Sequence, residues 1–475
     1  MERRPSPDEL VAGLTGLLRA ALGDPDLVVD GLERLSGGAS RETWSFRATG
    51  PVAGERRLIL QRTRPGPSAS STPMAVEDRV MAAAVAHGLP LAPVVVDVDT
   101  ATPVIGEARV TAHVDGETLG RRIVRAERTD AGRRHLVGRM AEALAAIHAV
   151  DPVTIDGLPP RDPIGMVRLG LDGLDVHRPA FELALRWLEA NRPDPSPPAV
   201  VHGDFRVGNL MIDGDDLVAV LDWELCHSGD PLEDLGWLCV RAWRFGGDGE
   251  VGGIAPLAEL VEAYAAASGR ALDVDAVRWW MVAGTLTWGL ICAVQANRHL
   301  AGHVRSVELA LIGRRIVENE YDVLNLMGVP GPATGAAGSA GAGSAVARDG
   351  AAQPSAAGDG ADLHGRPTAA ELVAAVRDHL AEDVAPGLER GAAYHLRVAG
   401  NALDVVARQL ELGPALDAAH AARLAALGVA DERELAAAVR SGEVADDPAV
   451  GAAIRAAVVD RLRVANPAWL HPSDT

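Results

Sequence analysis

The chain has 475 residues, 48% of them hydrophobic, with 65 acidic against 45 basic residues and a formal net charge of −20. That length favours two or three domains with buried cores. So acidic a balance argues against nucleic acid or an anionic membrane as partner, since both demand a basic face.

Met1 to Leu10 is polar and proline-bearing, with no apolar signal core. Apolar positions at helical spacing (Leu10, Val11, Leu14, Leu17, Leu18, Leu22), ended by Gly23, predict a helix over 8–22. Strands are expected over 28–35, 42–48 and 57–62, with Ser36-Gly37-Gly38-Ala39-Ser40 as the turn between the first two. Residues 74–87 read as a helix stopped by Gly88, and further strands fall near 94–98 and 108–114. Helical periodicity then dominates 130–148, 179–190 and most of 228–326. Between them, 199–201, 210–212 and 217–221 read as short strands, with Asp213-Gly214-Asp215-Asp216 as the turn of a hairpin. The most apolar stretch, 279–294, is broken by polar residues and falls short of a bilayer span.

From 329 to 367 the chain is Gly, Ala, Ser and Pro with almost no large apolar side chain. Such a segment cannot offset its ordering entropy, so a flexible, disordered tether is expected, spanning roughly 35 Å. Cutting between Ala337 and Ala356 should then release two separately folded pieces. Beyond it, 368–412, 416–427, 431–441 and 448–464 read as alanine-rich amphipathic helices, with starts marked by Thr368 with Glu371 and Asp431 with Glu434. No catalytic constellation lies there, and any protein partner would dock on this segment. Cys226, Cys239 and Cys292 lack metal spacing and suit free thiols in a reducing cytosol, so a cytoplasmic location is expected.

A β-rich part followed by an α-rich part is the order of an α+β, two-lobed protein-kinase-like fold. Its β-rich N-lobe would cover about 25–115 and its α-rich C-lobe about 116–328, giving a kinase-like domain over 8–328. The linker (329–367) and a small all-α domain (368–470) follow.

Chemistry concentrates in Val201-His202-Gly203-Asp204-Phe205-Arg206-Val207-Gly208-Asn209 and Leu221-Asp222-Trp223-Glu224. Asp204 and Asn209 are five apart and Asp222 follows by thirteen, all at one rim of the predicted hairpin. Phosphoryl transfer needs one carboxylate at the attacking hydroxyl, and an amide with a second carboxylate to hold Mg²⁺ against a triphosphate. His202-Gly203-Asp204, Asn209 and Asp222 resemble the signature of the aminoglycoside phosphotransferase and choline kinase-like family. Gly229-Asp230-Pro231, Glu233 to Trp237 and Arg241 to Gly246 extend the likeness to one branch, the kinase-like domains associated with acyl-CoA dehydrogenases.

The resemblance implies that two-lobed fold, and an ATP- and Mg²⁺-dependent kinase acting on an alcohol group of a small molecule. Asp204 would orient the hydroxyl and accept its proton, and Asn209 and Asp222 would be metal ligands. Arg206 would face the γ-phosphate, unless it is a surface arginine paired with Asp213 or Glu224. Ser36, Gly37 and Gly38 would cover the phosphates, and Ala112, His113 and Val114 would meet adenine through their backbone. The chain contains no lysine, so the phosphate-gripping lysine of the third strand is replaced at Gln61 or Arg62. Arg62 is the better charge partner, with Glu77 on the next helix as its carboxylate. His202, Asp230 and Asp234 are expected to brace the loop.

Arg241, Trp243, Arg244 and Phe245 form a cationic-aromatic cluster suited to an anionic acceptor such as a hydroxyacyl-CoA. The competing readings are an aminoglycoside or amino-alcohol kinase, with an acidic pocket, and a pseudokinase scaffold that binds partners through its C-terminal helices.

Overall fold

The computed structural model describes residues 5–35, 41–63, 72–91, 94–98, 104–330, 368–444 and 447–474. The expected phosphate turn with Ser36, Gly37 and Gly38, and nearly all of the 329–367 tether, lie outside the described residues.

In chain order the elements are α1 (Pro7–Leu22), β1 (Val28–Arg34), β2 (Arg41–Gly50), β3 (Gly54–Thr63), α2 (Met74–Ala86), β4 (Val94–Val98), β5 (Ala108–Ala112), α3 (Gly120–Arg125), α4 (Asp130–His148), α5 (Pro163–Gly173) and α6 (Pro179–Ala190). Then come β6 (Ala199–Val201), β7 (Leu210–Asp213), β8 (Asp216–Val220), β9 (His227–Gly229), α7 (Leu232–Leu238), α8 (Leu257–Ser268), α9 (Val274–Leu300), α10 (Val307–Ile312) and α11 (Ile316–Leu326). The last four are α12 (Ala369–His379), α13 (Arg390–Leu427), α14 (Glu432–Ser441) and α15 (Pro448–Ala465). An antiparallel sheet followed by many helices is the expected α+β, protein-kinase-like class.

Two compact units emerge, one of residues 1–162 with 192–284 and one of 163–191 with 285–475. In the first, β1 to β5 form an antiparallel sheet in the order β1-β2-β3-β5-β4. Helix α1 starts at a Ser6/Glu9 capping box and ends at Gly23 in the left-handed region, as its sequence signals require. Its Leu14 and Leu18 pack with Phe46, Leu58, Leu60 and Val110 in one core cluster. Opposed residues of an antiparallel pair share a face, so the register fixes which side chains look the other way. Arg41 stands opposite Thr63, and Gln61 opposite Thr43 and Arg109. These five lie on the face away from the Leu58–Leu60 cluster.

The same unit holds two short ladders, β6 with β9 and β7 with β8. Helix α9 is 27 residues long and, contrary to the sequence expectation, long and apolar enough to cross a membrane, with mean hydropathy 1.3; however, 61% of that apolar window is buried inside the protein.

In the second unit the C-terminal helices do not stand alone. Leu435, Val439, Val450, Ile454, Val458 and Leu462 share one core with Ala180 of α6 and Val317, Tyr321 and Leu324 of α11. Arg440 binds both carboxylate oxygens of buried Glu182 on α6, at 3.0 and 2.6 Å. Arg455 donates to Asn325 Oδ1 at 2.8 Å, and Tyr321 donates to Asp474 at 2.5 Å. The boundary at 329–367 is therefore not where the packing divides. Helix α13 also differs from the sequence reading, which ended a helix near 412. It runs unbroken through Pro414, giving up one backbone hydrogen bond there.

Candidate active site

Asp204 and Asn209 lie on the loop between β6 and β7, and Asp222 lies two residues beyond β8. The backbone joins them: Leu221 N–H donates to the Asn209 carbonyl at 2.8 Å. The loop is held from beneath by Asp234 of α7, fully buried, which accepts from the backbone N–H of His202 at 2.7 Å and of Gly203 at 2.9 Å. His148 of α4 lies 3.2 Å from the same carboxylate and hydrogen-bonds Tyr264 at 2.7 Å through its other nitrogen. Burial alone would raise the Asp234 carboxyl, but the bond and charge of His148 and the His202 N–H outweigh it and hold it below the ordinary value. Gly203 has φ +80, and a Cβ there would sit 2.4 Å from the Leu225 carbonyl oxygen, so only glycine closes this loop.

His202 is structural, as expected. Its Nδ1 accepts from the Asp204 N–H at 3.1 Å, which leaves Nε2 to donate to the Leu221 carbonyl at 3.1 Å. That is the neutral tautomer, and burial drives the imidazole pKa down accordingly. Asp230 also braces: its oxygens accept from Ser196 N–H at 3.1 Å and Leu232 N–H at 2.9 Å.

Both Asp204 carboxylate oxygens are engaged. Oδ1 accepts from Arg206 Nε at 2.9 Å and Trp237 Nε1 at 2.8 Å, and Oδ2 accepts from Asn209 Nδ2 at 2.6 Å. Three donors of fixed direction leave one orientation for this carboxylate. The Arg206 guanidinium carbon also lies 4.7 Å from the centre of the Trp243 ring, which packs on Trp237 at 5.3 Å. Arg206 thus pairs with neither Asp213 nor Glu224; its carboxylate partner is Asp204. Trp237 escaped the sequence reading because tryptophans crowd this segment and none announces a polar contact. Gly236 beside it lets α7 approach α9, since a Cβ there would meet the Trp280 backbone at 2.5 Å.

Asp222 adopts φ +67, a strained conformation for a non-glycine residue and one concentrated at functional sites. Its carboxyl is pushed up to about 7 by burial first and then by Glu224 and Asp204, against the pull of Arg206 and Arg41. Among the described residues no three His, Cys, Asp or Glu side chains form a cation cage. Asn209 spends its amide N–H groups on Asp204 at 3.0 and 2.6 Å, so its side-chain oxygen is what it can offer a cation. One amide oxygen with one carboxylate amid excess negative charge fits Mg²⁺, which completes its shell with phosphate and water.

The expected phosphate grip requires correction. Glu77 is held by Arg41, through Nη1 at 2.7 Å and a second bond from Nη2, and by Arg109. Arg62 stands opposite Glu42 and Ala108 on the sheet face that carries Leu58 and Leu60, its Nε 3.8 Å from Glu42. Strand parity sends it away from Glu77, and Gln61 takes the face that Arg62 was expected to occupy. The adenine segment needs a narrower correction. Ala112 ends β5, and the His113 N–H is spent on the Arg57 carbonyl at 2.9 Å, so that N–H is not available as a donor to a nucleotide.

The loop, its carboxylates and the sheet-plus-helix order define a protein-kinase-like phosphotransferase. Residues 31–280, more than half of the chain, match the family described as Phosphotransferase enzyme family, and the chain belongs to it. It is therefore a phosphotransferase enzyme. Residues 386–469 match a second description, Domain of unknown function (DUF6285). Over 64 residues the chain is 41% identical to mouse Acyl-CoA dehydrogenase family member 10, which is 13% of this chain and 6% of that protein. Over 62 residues it is 42% identical to chicken Acyl-CoA dehydrogenase family member 11, 12% of this chain and 8% of that protein. The chain thus spans a small fraction of these relatives. A solved structure from Ralstonia eutropha JMP134, provisionally described as an aminoglycoside phosphotransferase, matches with TM-score 0.51 and 22% identity over 67% of this chain and 96% of that one. At that identity the likeness shows the fold.

Proposed function

We propose that this enzyme transfers the γ-phosphoryl group of ATP, with Mg²⁺, to a hydroxyl group of an anionic small molecule of the hydroxyacyl-CoA class. The observation that carries the reading is the wall beside the base. Arg206 bonds Asp204 and stacks on Trp243, so the wall beside Asp204 is cationic and aromatic. A polycationic aminoglycoside would meet a guanidinium there, whereas a thioester of CoA brings phosphates suited to arginine. The names of the two acyl-CoA dehydrogenase relatives are in keeping with it.

Asp204, held by Trp237 and Asn209, orients the acceptor hydroxyl and takes its proton as the new P–O bond forms. Arg206 shifts from Asp204 to the equatorial oxygens of the transferring group, where a guanidinium can bind two at once. Asn209 and Asp222 hold Mg²⁺, which when bound neutralises triphosphate charge. ADP release with hydroxyacyl-CoAs, choline analogues and aminoglycosides tests the acceptor. Turnover is expected with the first; turnover with aminoglycosides alone would overturn the acceptor assignment.

Asp222 gives a pH test. Its folded pKa of about 7 lies above the ordinary 3.8. The neutral carboxyl therefore stabilises the metal-free fold fully below about pH 4, and that contribution is lost as pH rises through about 7. Mg²⁺ requires the carboxylate, so thermal stabilisation by Mg²⁺ with a nucleotide is expected to grow from pH 6 to pH 8. Asp222→Asn should flatten that rise, and an equally steep rise in this variant would sink the metal-ligand assignment.

A further inference from the structure

Around Glu77 of α2 the sheet face carries two arginines, Arg41 and Arg109, and the β3 position there is Gln61; Arg57 of β3 and Arg47 of β2 share that face farther along the strands. Arg41, the first residue of β2, grips both oxygens of Glu77, and Arg109 of β5 binds Glu77 as well. Gln61 lies on that face between them, opposite Thr43 and Arg109. The segment entering α2 is tied to the Asp222 strand end: Thr72 N–H donates to the Glu224 carbonyl at 2.7 Å, and the Thr72 hydroxyl to the Cys226 carbonyl at 2.8 Å. Glu77 follows within the first turn of α2, its own N–H bonded to the Pro73 carbonyl at 3.1 Å. That tether brings Glu77, and with it Arg41, to the acidic end of the β7–β8 hairpin, and the carboxylates Glu224 and Asp222 both act on the Arg41 guanidinium.

Arg109 and Arg41 are not equivalent. The Arg109 side chain is 3% exposed and also reaches Met81 Sδ at 3.2 Å and Asp78 at 3.3 Å, so it is anchored inside α2's footprint. Arg41 is 11% exposed and stands at the strand end, next to the Ser36–Ser40 turn in sequence. A cation that meets a helix carboxylate on one side and the metal residues on the other is placed where triphosphate charge must be balanced.

We propose that Arg41, from β2, is the residue that binds the ATP phosphates, with Glu77 positioning it and Arg109 anchoring Glu77. The proposal rests on the ATP-dependent reading above and identifies the cation that serves it. The chain has moved the charge one strand over: β3 offers a neutral amide, and the neighbouring strand supplies a planar fork able to hold Glu77 and phosphate oxygens together.

The test is MgATP binding by calorimetry on the full chain. Arg41→Gln is expected to weaken binding about ten- to a hundredfold, the loss of one charge-assisted contact. Arg62→Gln, on the opposite face, is expected to leave the affinity of the folded protein near wild type. Because Arg41→Gln also removes one partner of buried Glu77, the variant Arg41→Gln/Gln61→Arg provides a second readout. Returning the charge to β3 on the same face should recover most of the affinity. Should Arg41→Gln bind MgATP as wild type does, or Arg62→Gln lose binding while Arg41→Gln keeps it, the assignment is wrong. If wild-type protein itself binds no MgATP, the ATP-dependent reading falls and this inference with it, an outcome distinct from the other two.

Discussion

Asp204→Asn is expected to lower turnover by about 10²–10⁴-fold, the usual contribution of a positioned base, while MgATP affinity stays close to wild type. The site gives the reason for both halves. The carboxylate receives donors from Arg206, Trp237 and Asn209, and an amide in its place must turn an NH₂ group toward one of them. It loses the proton acceptor and the orientation together. Of the proposed metal residues, Asp222 lies after β8, and Asn209, on the same loop as Asp204, keeps its bond to the Asp204 backbone carbonyl at 3.0 Å in the variant, so nucleotide binding is expected to survive the change. Steady-state ADP release and calorimetric MgATP binding on the same preparation separate the two effects. Retention of roughly a third of the wild-type rate would place the base elsewhere, since no positioned base is worth so little. A parallel collapse of MgATP binding would mean the substitution had broken the loop.

The catalytic loop was legible because its residues are close in sequence and its hairpin is local. Five residues separate Asp204 from Asn209, a four-residue turn closes β7 on β8, and short-range rules govern both. Helix boundaries with strong caps were legible for the same reason, as at Gly23, Thr368 and Asp431. The phosphate grip was not. Choosing Arg62 over Gln61 required knowing which face of β3 meets α2, and that depends on the pairing of β3 with β2 and β5, set by packing of α1 on the other face. One residue of register separates a cation aimed at Glu77 from one paired with Glu42. Trp237 was illegible for another reason: its indole N–H reaches Asp204 across 33 positions of sequence, and nothing in the local pattern distinguishes it from a core tryptophan.

The C-terminal helices were read as amphipathic but given no partner, because an apolar stripe does not say what it covers. The structure says it, and the consequence is large. A chain ending at residue 335 is expected to be insoluble or to unfold well below the temperature of the full-length protein. Val317, Tyr321 and Leu324 would lose their cover, at about 1.5–3 kcal/mol for each large apolar side chain. Glu182, 2% exposed, would lose both bonds from Arg440, at about 1.5–3 kcal/mol for a charged hydrogen bond. Together these losses approach the whole stability of a typical domain, about 5–15 kcal/mol. A protease site inserted between Ala337 and Ala356 tests the same packing without deleting anything. The cut chain is expected to elute as one species on size exclusion, because α14 and α15 remain docked on α6 and α11 with the tether gone. Two soluble pieces eluting separately, each with its own cooperative melt, would show that the helical segment is an appended module after all. Arg440→Met in the uncut chain then isolates the ionic part of the docking. Its melting temperature should fall, and the change should be smaller than for Val439→Asp, which buries a charge in the apolar core they share.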